Sequence, residues 1–202
     1  MRFSSNESLK DLTFKFKKDL DKKLKNVDNN IAEEYVNWLF RKTALFEESY
    51  KKSGYSTQPD DLTRGDIIFA EFGINIGAEL SDYKTHGHYC VCWAIDLGNV
   101  IVIPLSSSDT KGSFLTFDLG EIKGLGYDGV HSYLKLDAIG VIKELNDDKE
   151  SQETHSYLKL DAIRSISKRR ISRLPNKEKG KIHLDDTTIE KIRLAIKVSF
   201  LE

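Results

Sequence analysis

Four short apolar runs, each closed off by a turn signal, constrain this chain more than any other feature. They read GDIIFAEFG (65–73), HYCVCWAI (88–95), NVIVIPLSS (99–107) and SFLTFDL (113–119). Runs this short, rich in Ile, Val and Phe and separated by Gly, Asn and Asp, read as strands. Their spacing favours a small closed barrel or a strongly bent sheet. A glycine-rich polar loop follows the first run, and the third runs into Ser106, Ser107 and Ser108. Strand, loop, strand, strand, serines is a plan for a site at the rim of a barrel.

The residues around this core have a different texture. The first 55 contain no proline and one glycine, Gly54. Leu9, Leu12, Phe16, Leu20 and Leu24 follow helical spacing. Asn30 with Glu33 suits a helix start of capping-box type. Ile31, Tyr35 and Leu39, with Val36 and Phe40, share a face of a second helix ending near Ser53-Gly54. The expectation is α+β: a helical hairpin over 1–55, a linker at YSTQPDDL, and a barrel domain over 63–202. A last helix, capped by Asp185 or Asp186, carries Ile189, Ile192, Ala195, Ile196 and Phe200 on one face.

A chain of 202 residues holds one domain, or one domain and an appendage. Its net charge of −1 gives no global nucleic-acid signal, so any polyanion contact must come from local basic clusters. No apolar run approaches the roughly 20 residues that span a bilayer, and MRFSSNESLK has no signal-type apolar segment. A cytoplasmic protein without a membrane partner is expected, and the two cysteines suggest no disulfide framework.

HSYLKLDAI occurs twice, at His131–Ile139 and at His155–Ile163, an offset of 24 residues. Two copies so close together are too few for a solenoid. They read as a tandem duplication with one copy in a core strand, unless the two pair as a hairpin.

Several residues are candidates for chemistry. His86, His88, Cys90 and Cys92 alternate, so in a strand all four face one side. Next-but-one residues lie about 6.5–7 Å apart, too far for four in a row to surround one zinc ion with bonds of about 2.0–2.3 Å. No metal and no cofactor are expected. The cysteines read as core, and the histidines as candidates for proton transfer or phosphate contact. The serines lie in no Gly-x-Ser-x-Gly elbow, so their hydroxyls are candidates for holding phosphate oxygens. Lys159 and Asp161 on one strand face can tune each other and share acid–base work. Lys168, Arg169, Arg170 and Arg173 form a basic cluster downstream.

The order RGDIIFAEFGINIGAE, a histidine-bearing strand, VIVIPLSSS, SYLKLDAIRSISKRRI and HLDDTTIEKIRLAIKVSFL resembles the MazF/PemK/Kid family of toxin endoribonucleases over Thr63–Leu201. The resemblance implies a small SH3-like or CcdB-like barrel with a C-terminal helix. It also implies a homodimer, an antitoxin partner, and metal-independent cleavage of single-stranded RNA at short sequences. The family's Pro-x-Thr-Ser is Pro104-Leu105-Ser106-Ser107, so Ser106 replaces the catalytic threonine. Its Arg-Pro-Val-Val is His88-Tyr89-Cys90-Val91, which puts His88 at an arginine position. Its Asp-Gln-x-Arg-Thr is Asp161-Ala162-Ile163-Arg164-Ser165, and Lys159 stands where the Kid branch has a participating arginine.

The glycine-rich loop matches Gly73–Glu79. The implied catalytic set is His88, Ser106, Ser107, Lys159 and Asp161. Asn75, Glu79, His86 and Arg164 are the implied substrate contacts. Asp161 is the candidate base, His88 or Lys159 the acid, and Asn75 and Glu79 offer hydrogen bonds to base edges. Two other classes remain: a non-catalytic CcdB-like binder of a protein target, and a weakened relative that binds RNA or antitoxin as a regulator.

Overall fold

The structure is a computed structural model that describes residues 3–51, 59, 61–83, 85–107, 113–122, 125, 156–172 and 182–201. The chain divides into two compact units, Met1–Thr43 and Ala44–Glu202. The division falls inside the second helix, upstream of the linker read from composition.

In the first unit, α1 spans Glu7–Leu24 and is capped by Asn6, whose Oδ1 accepts from Leu9 N at 3.1 Å. Helix α2 spans Asn29–Lys51. Its cap is Asp28, not Asn30: Asp28 Oδ1 accepts from Asn30 N at 2.9 Å and Ile31 N at 3.4 Å. A carboxylate there satisfies orphan N–H groups and meets the positive end of the helix dipole. The helical period of the sequence is real, yet neither helix has a buried residue among those described. Leu12, Phe14, Phe16, Phe40 and Phe46 are all exposed.

Among its described residues the second unit holds seven strands: β1 (Ile67–Ala70), β2 (His88–Ile95), β3 (Asn99–Ser106), β4 (Thr116–Gly120), β5 (Ser156–Lys159), β6 (Arg164–Ser167) and β7 (Ile171–Ser172). They form one antiparallel sheet, ordered β4-β5-β3-β2-β1-β7, with β6 also beside β3. β3 is the spine. Its first half pairs with β6 and its last two residues pair with β5 on the edge opposite β2.

The sheet is open where a closed barrel was expected. β4 and β7 end its path and do not pair. Between β6 and β7 the chain makes a 3-10 turn, Lys168–Arg170, which takes three residues out of the ladder. Even so, the continuous segment Arg164–Ser172 reaches from β3 to β1, the two strands that flank β2.

Strand alternation gives the sheet two apolar faces. One carries Ile67, Val91, Ile103, Leu105 and Leu158 and packs against Leu184, Ile192 and Ala195. The latter two belong to α3 (Asp186–Phe200), capped by Asp185, whose Oδ1 accepts from Thr188 N at 2.7 Å. Phe200, placed on the core face by its spacing, is half exposed. The other face carries Ile68, Ala70, Phe72, Cys90, Cys92, Val100, Val102 and Ile166.

Arg64-Gly65-Asp66 joins the sheet to the segment before α3. Buried Asp66 accepts from Thr63 N and Oγ1 and from His183 Nδ1, the last at 2.8 Å. Gly65 has φ 92°, and a Cβ there would lie 2.7 Å from Ile189 Cδ1. Only glycine fits that turn.

Candidate functional site

Register places the candidate residues. Ala70 pairs with His88, Cys90 with Pro104, Ser106 with Tyr157, Lys159 with Thr116, and Val102 with Arg164. His88 lies two residues before Cys90 on β2 and Ser106 two residues after Pro104 on β3, so each keeps the face of that pair. Paired positions point to one face, as do positions two apart along a strand. His88, Ser106, Lys159 and Arg164 therefore lie on a single face, the one opposite α3. Ser107 follows the strand, falls on the other alternation and is exposed.

Phe72 is the hub of this face. It is buried, His88 meets its ring edge-on at 5.8 Å, and the Arg164 guanidinium lies 5.1 Å from its centroid. Arg170 Nη1 donates to the Phe72 carbonyl at 3.3 Å. One aromatic ring thus holds a histidine and an arginine.

The His88 side chain is 19% exposed, and its Nε2 lies 3.0 Å from Ser81 O and 3.6 Å from Asp82 Oδ1. A carbonyl only accepts, so the proton of that contact belongs to Nε2. Asp82, which the sequence reading missed, is buried. Its Oδ2 accepts from Phe72 N and Gly73 N, each at 2.6 Å. Burial pushes the Asp82 carboxyl above its ordinary value, opposed by those two N–H groups and by His88 and reinforced by Glu71. An aspartate in a polar loop usually caps a turn, and nothing in the sequence marks this one as buried.

Lys159 and Asp161 do meet, though not as two residues of one strand. β5 ends at Lys159, and a 3-10 turn, Leu160–Ala162, follows. That turn leaves Asp161 Oδ1 3.7 Å from Lys159 Nζ, which also donates to Thr116 Oγ1 at 3.1 Å. The lysine side chain is 14% exposed and the aspartate 46%. Both belong to the second copy of the repeat. The first copy, with Lys135 and Asp137, lies outside the described residues, as does Arg173.

The loop contacts divide. Asn75 Nδ2 donates to Leu80 O at 2.6 Å and its backbone N to Ser81 Oγ at 2.9 Å, so this amide closes the loop. In this conformation its Nδ2 is turned inward, to Leu80 O and, at 3.5 Å, to Phe72 O. Glu79 is exposed. His86 is exposed with φ 55°, outside β2, so the alternation of histidines and cysteines begins only at His88.

Cys90 and Cys92 are buried, and burial holds the Cys90 thiol well above its ordinary value. Among the described residues no cluster of three or more His, Cys, Asp or Glu is arranged to hold a metal ion. No helix among them is long and apolar enough to cross a membrane. A scan of protein-family models and a search of curated proteins each find no match to this chain.

Proposed function

We propose that this chain is a toxin-like endoribonuclease that cuts single-stranded RNA without metal. The observation that carries the reading is the shared face of His88, Ser106, Lys159 and Arg164, with Asp161 turned back to Lys159. In the reaction a ribose 2′-oxygen attacks the adjacent phosphorus and the bond to the 5′-oxygen breaks. The products are a 2′,3′-cyclic phosphate and a 5′-hydroxyl. Asp161 takes the 2′-OH proton, and His88 returns one to the leaving oxygen. Ser106, Lys159 and Arg164 donate to the non-bridging oxygens as charge builds there. Glu79 and the loop tip meet the bases.

The finer fold in this reading is a small SH3-like or CcdB-like barrel, supported by the segment Arg164–Ser172, which reaches both β3 and β1. Its partners are an antitoxin protein and a second copy of the chain, in the cytoplasm. The competing reading, a non-catalytic binder or weakened regulator, draws on the engaged Nε2 of His88 and the inward turn of the Asn75 Nδ2.

The test is incubation of purified protein with mixed RNA in EDTA, with mapping of the new ends. Cleavage leaving 5′-hydroxyl and 2′,3′-cyclic phosphate ends is expected. His88→Ala and Lys159→Ala should each lower the rate about 100-fold. A 2′-deoxy residue at the cut site should block it. A magnesium requirement or 5′-phosphate ends would overturn the mechanism. RNA binding without cleavage would favour the regulator.

A further inference from the structure

In the loop between β1 and β2, Asp82 bonds to both ends. Asp82 N donates to Gly73 O at 3.0 Å, while Thr85 N and His86 N donate to Asp82 O at 3.1 and 3.3 Å. Its Oδ2 holds the N–H groups of Phe72 and Gly73. Four backbone positions therefore fix where this carboxylate stands. Its remaining oxygen, Oδ1, is buried, has no hydrogen bond, and faces His88 Nε2 at 3.6 Å. Nε2 thus lies against two acceptors, Oδ1 and the Ser81 carbonyl, while Phe72 holds the ring edge-on.

We propose that Asp82 is a positioning residue for His88, setting the imidazole so that Nδ1, not Nε2, is the nitrogen that serves the RNA phosphate. The assignment rests on the nuclease reading for its purpose but not for its geometry. Two acceptors around Nε2 keep the proton there in the neutral ring. Nδ1 is then bare when the ring is neutral and carries the transferable proton when it is charged. Asp82 acts through His88 and touches no substrate.

Asp82→Asn tests this with little change of shape. The amide oxygen can still accept from Phe72 N and Gly73 N, while Nδ2 replaces Oδ1 and presents a donor to a donor. Nitrogen-15 NMR of the imidazole, in buffer alkaline enough to keep the ring neutral, reads the tautomer directly. In the wild type the Nε2–H form should dominate. In Asp82→Asn the Nδ1–H form should grow. RNA cleavage should lose about tenfold or more in kcat with KM within about twofold.

A folded Asp82→Asn protein with the wild-type tautomer and kcat would overturn the assignment. Should that variant not fold, Asp82→Ser, which removes Oδ1 and keeps a hydroxyl acceptor, is read in the same way, and an unchanged tautomer and kcat there overturn the assignment. A wild type that cuts no RNA would sink the nuclease reading and leave the tautomer result to judge Asp82 by itself.

Discussion

Asp82 carries a carboxylate into a place where charge is costly, and the consequence for stability has a definite sign. Burial raises its proton affinity in the folded chain above that of the unfolded one. Between the ordinary carboxylate value and the raised one, the native state therefore holds more protons than the unfolded state. The contribution of this group to stability rises as pH falls through the raised value and levels off below the unfolded one. Above the raised value the buried charge opposes folding. Asp82→Asn should be at least as stable as wild type at pH 7, and any advantage should shrink in acid. Urea melts across pH measure this, and a loss at neutral pH that persists in acid would contradict it. Cys90 makes the complementary case. Its thiol is buried and held protonated, so iodoacetamide should leave it unlabelled in native buffer and label it in denaturant. His88, Ser106, Lys159 and Arg164 were legible as candidates because strand alternation and the order of the motifs are local in sequence. Asp82 was not, because its burial exists only once the loop has closed on Phe72.

At the scale of elements, the strands were the most legible part of the chain. β2 has the bounds of its apolar run and β3 ends one residue short of its own, since a period of two with turn residues at each end leaves little choice. Closure was not legible. It depends on how far each strand pairs, and a 3-10 turn at Lys168–Arg170 interrupts the segment that would have to carry it. The start of α2 also moved, from Asn30 to Asp28, because several residues nearby can cap and only geometry selects one. α3 anchors one face of the sheet through Ile192, which is fully buried. Ile192→Ala should cost about 3 kcal/mol, the usual price of emptying a buried aliphatic site, measured as a lower denaturation midpoint with an unchanged slope. The cap at Asp185 acts in the same element with the opposite pH sense from Asp82. Hydrogen bonds from Thr187 and Thr188 hold its carboxyl below the ordinary value. Its contribution is present above the unfolded value and is lost as pH falls through the folded one.

At the scale of the whole molecule, the duplication poses the sharpest question, and the sequence alone had two answers for it. The second copy supplies β5, the following turn and the Lys159–Asp161 pair, and it leads directly into Arg164 and β6. A chain that repeats nine residues 24 apart can lose one period seamlessly. Deleting 131–154 joins Val130 to His155, and deleting 140–163 joins Ile139 to Arg164. Both deletions give the same sequence, so the shortened chain has one HSYLKLDAI that runs into Arg164, as the second copy does in the sheet. If the sheet needs one copy only, the shortened protein should fold, with a melting temperature within a few degrees of the parent. On the nuclease reading it should cut the same RNA sites at a rate within about threefold. If both copies build the site together, the deletion should abolish cleavage while the sheet persists by circular dichroism. Comparing Asp161→Asn with Asp137→Asn in the full chain then assigns the role. The reading from β5 requires the loss at position 161, with position 137 close to neutral. Equal losses would mean that the duplicated segment had been drawn into the site and is more than an insertion beside it.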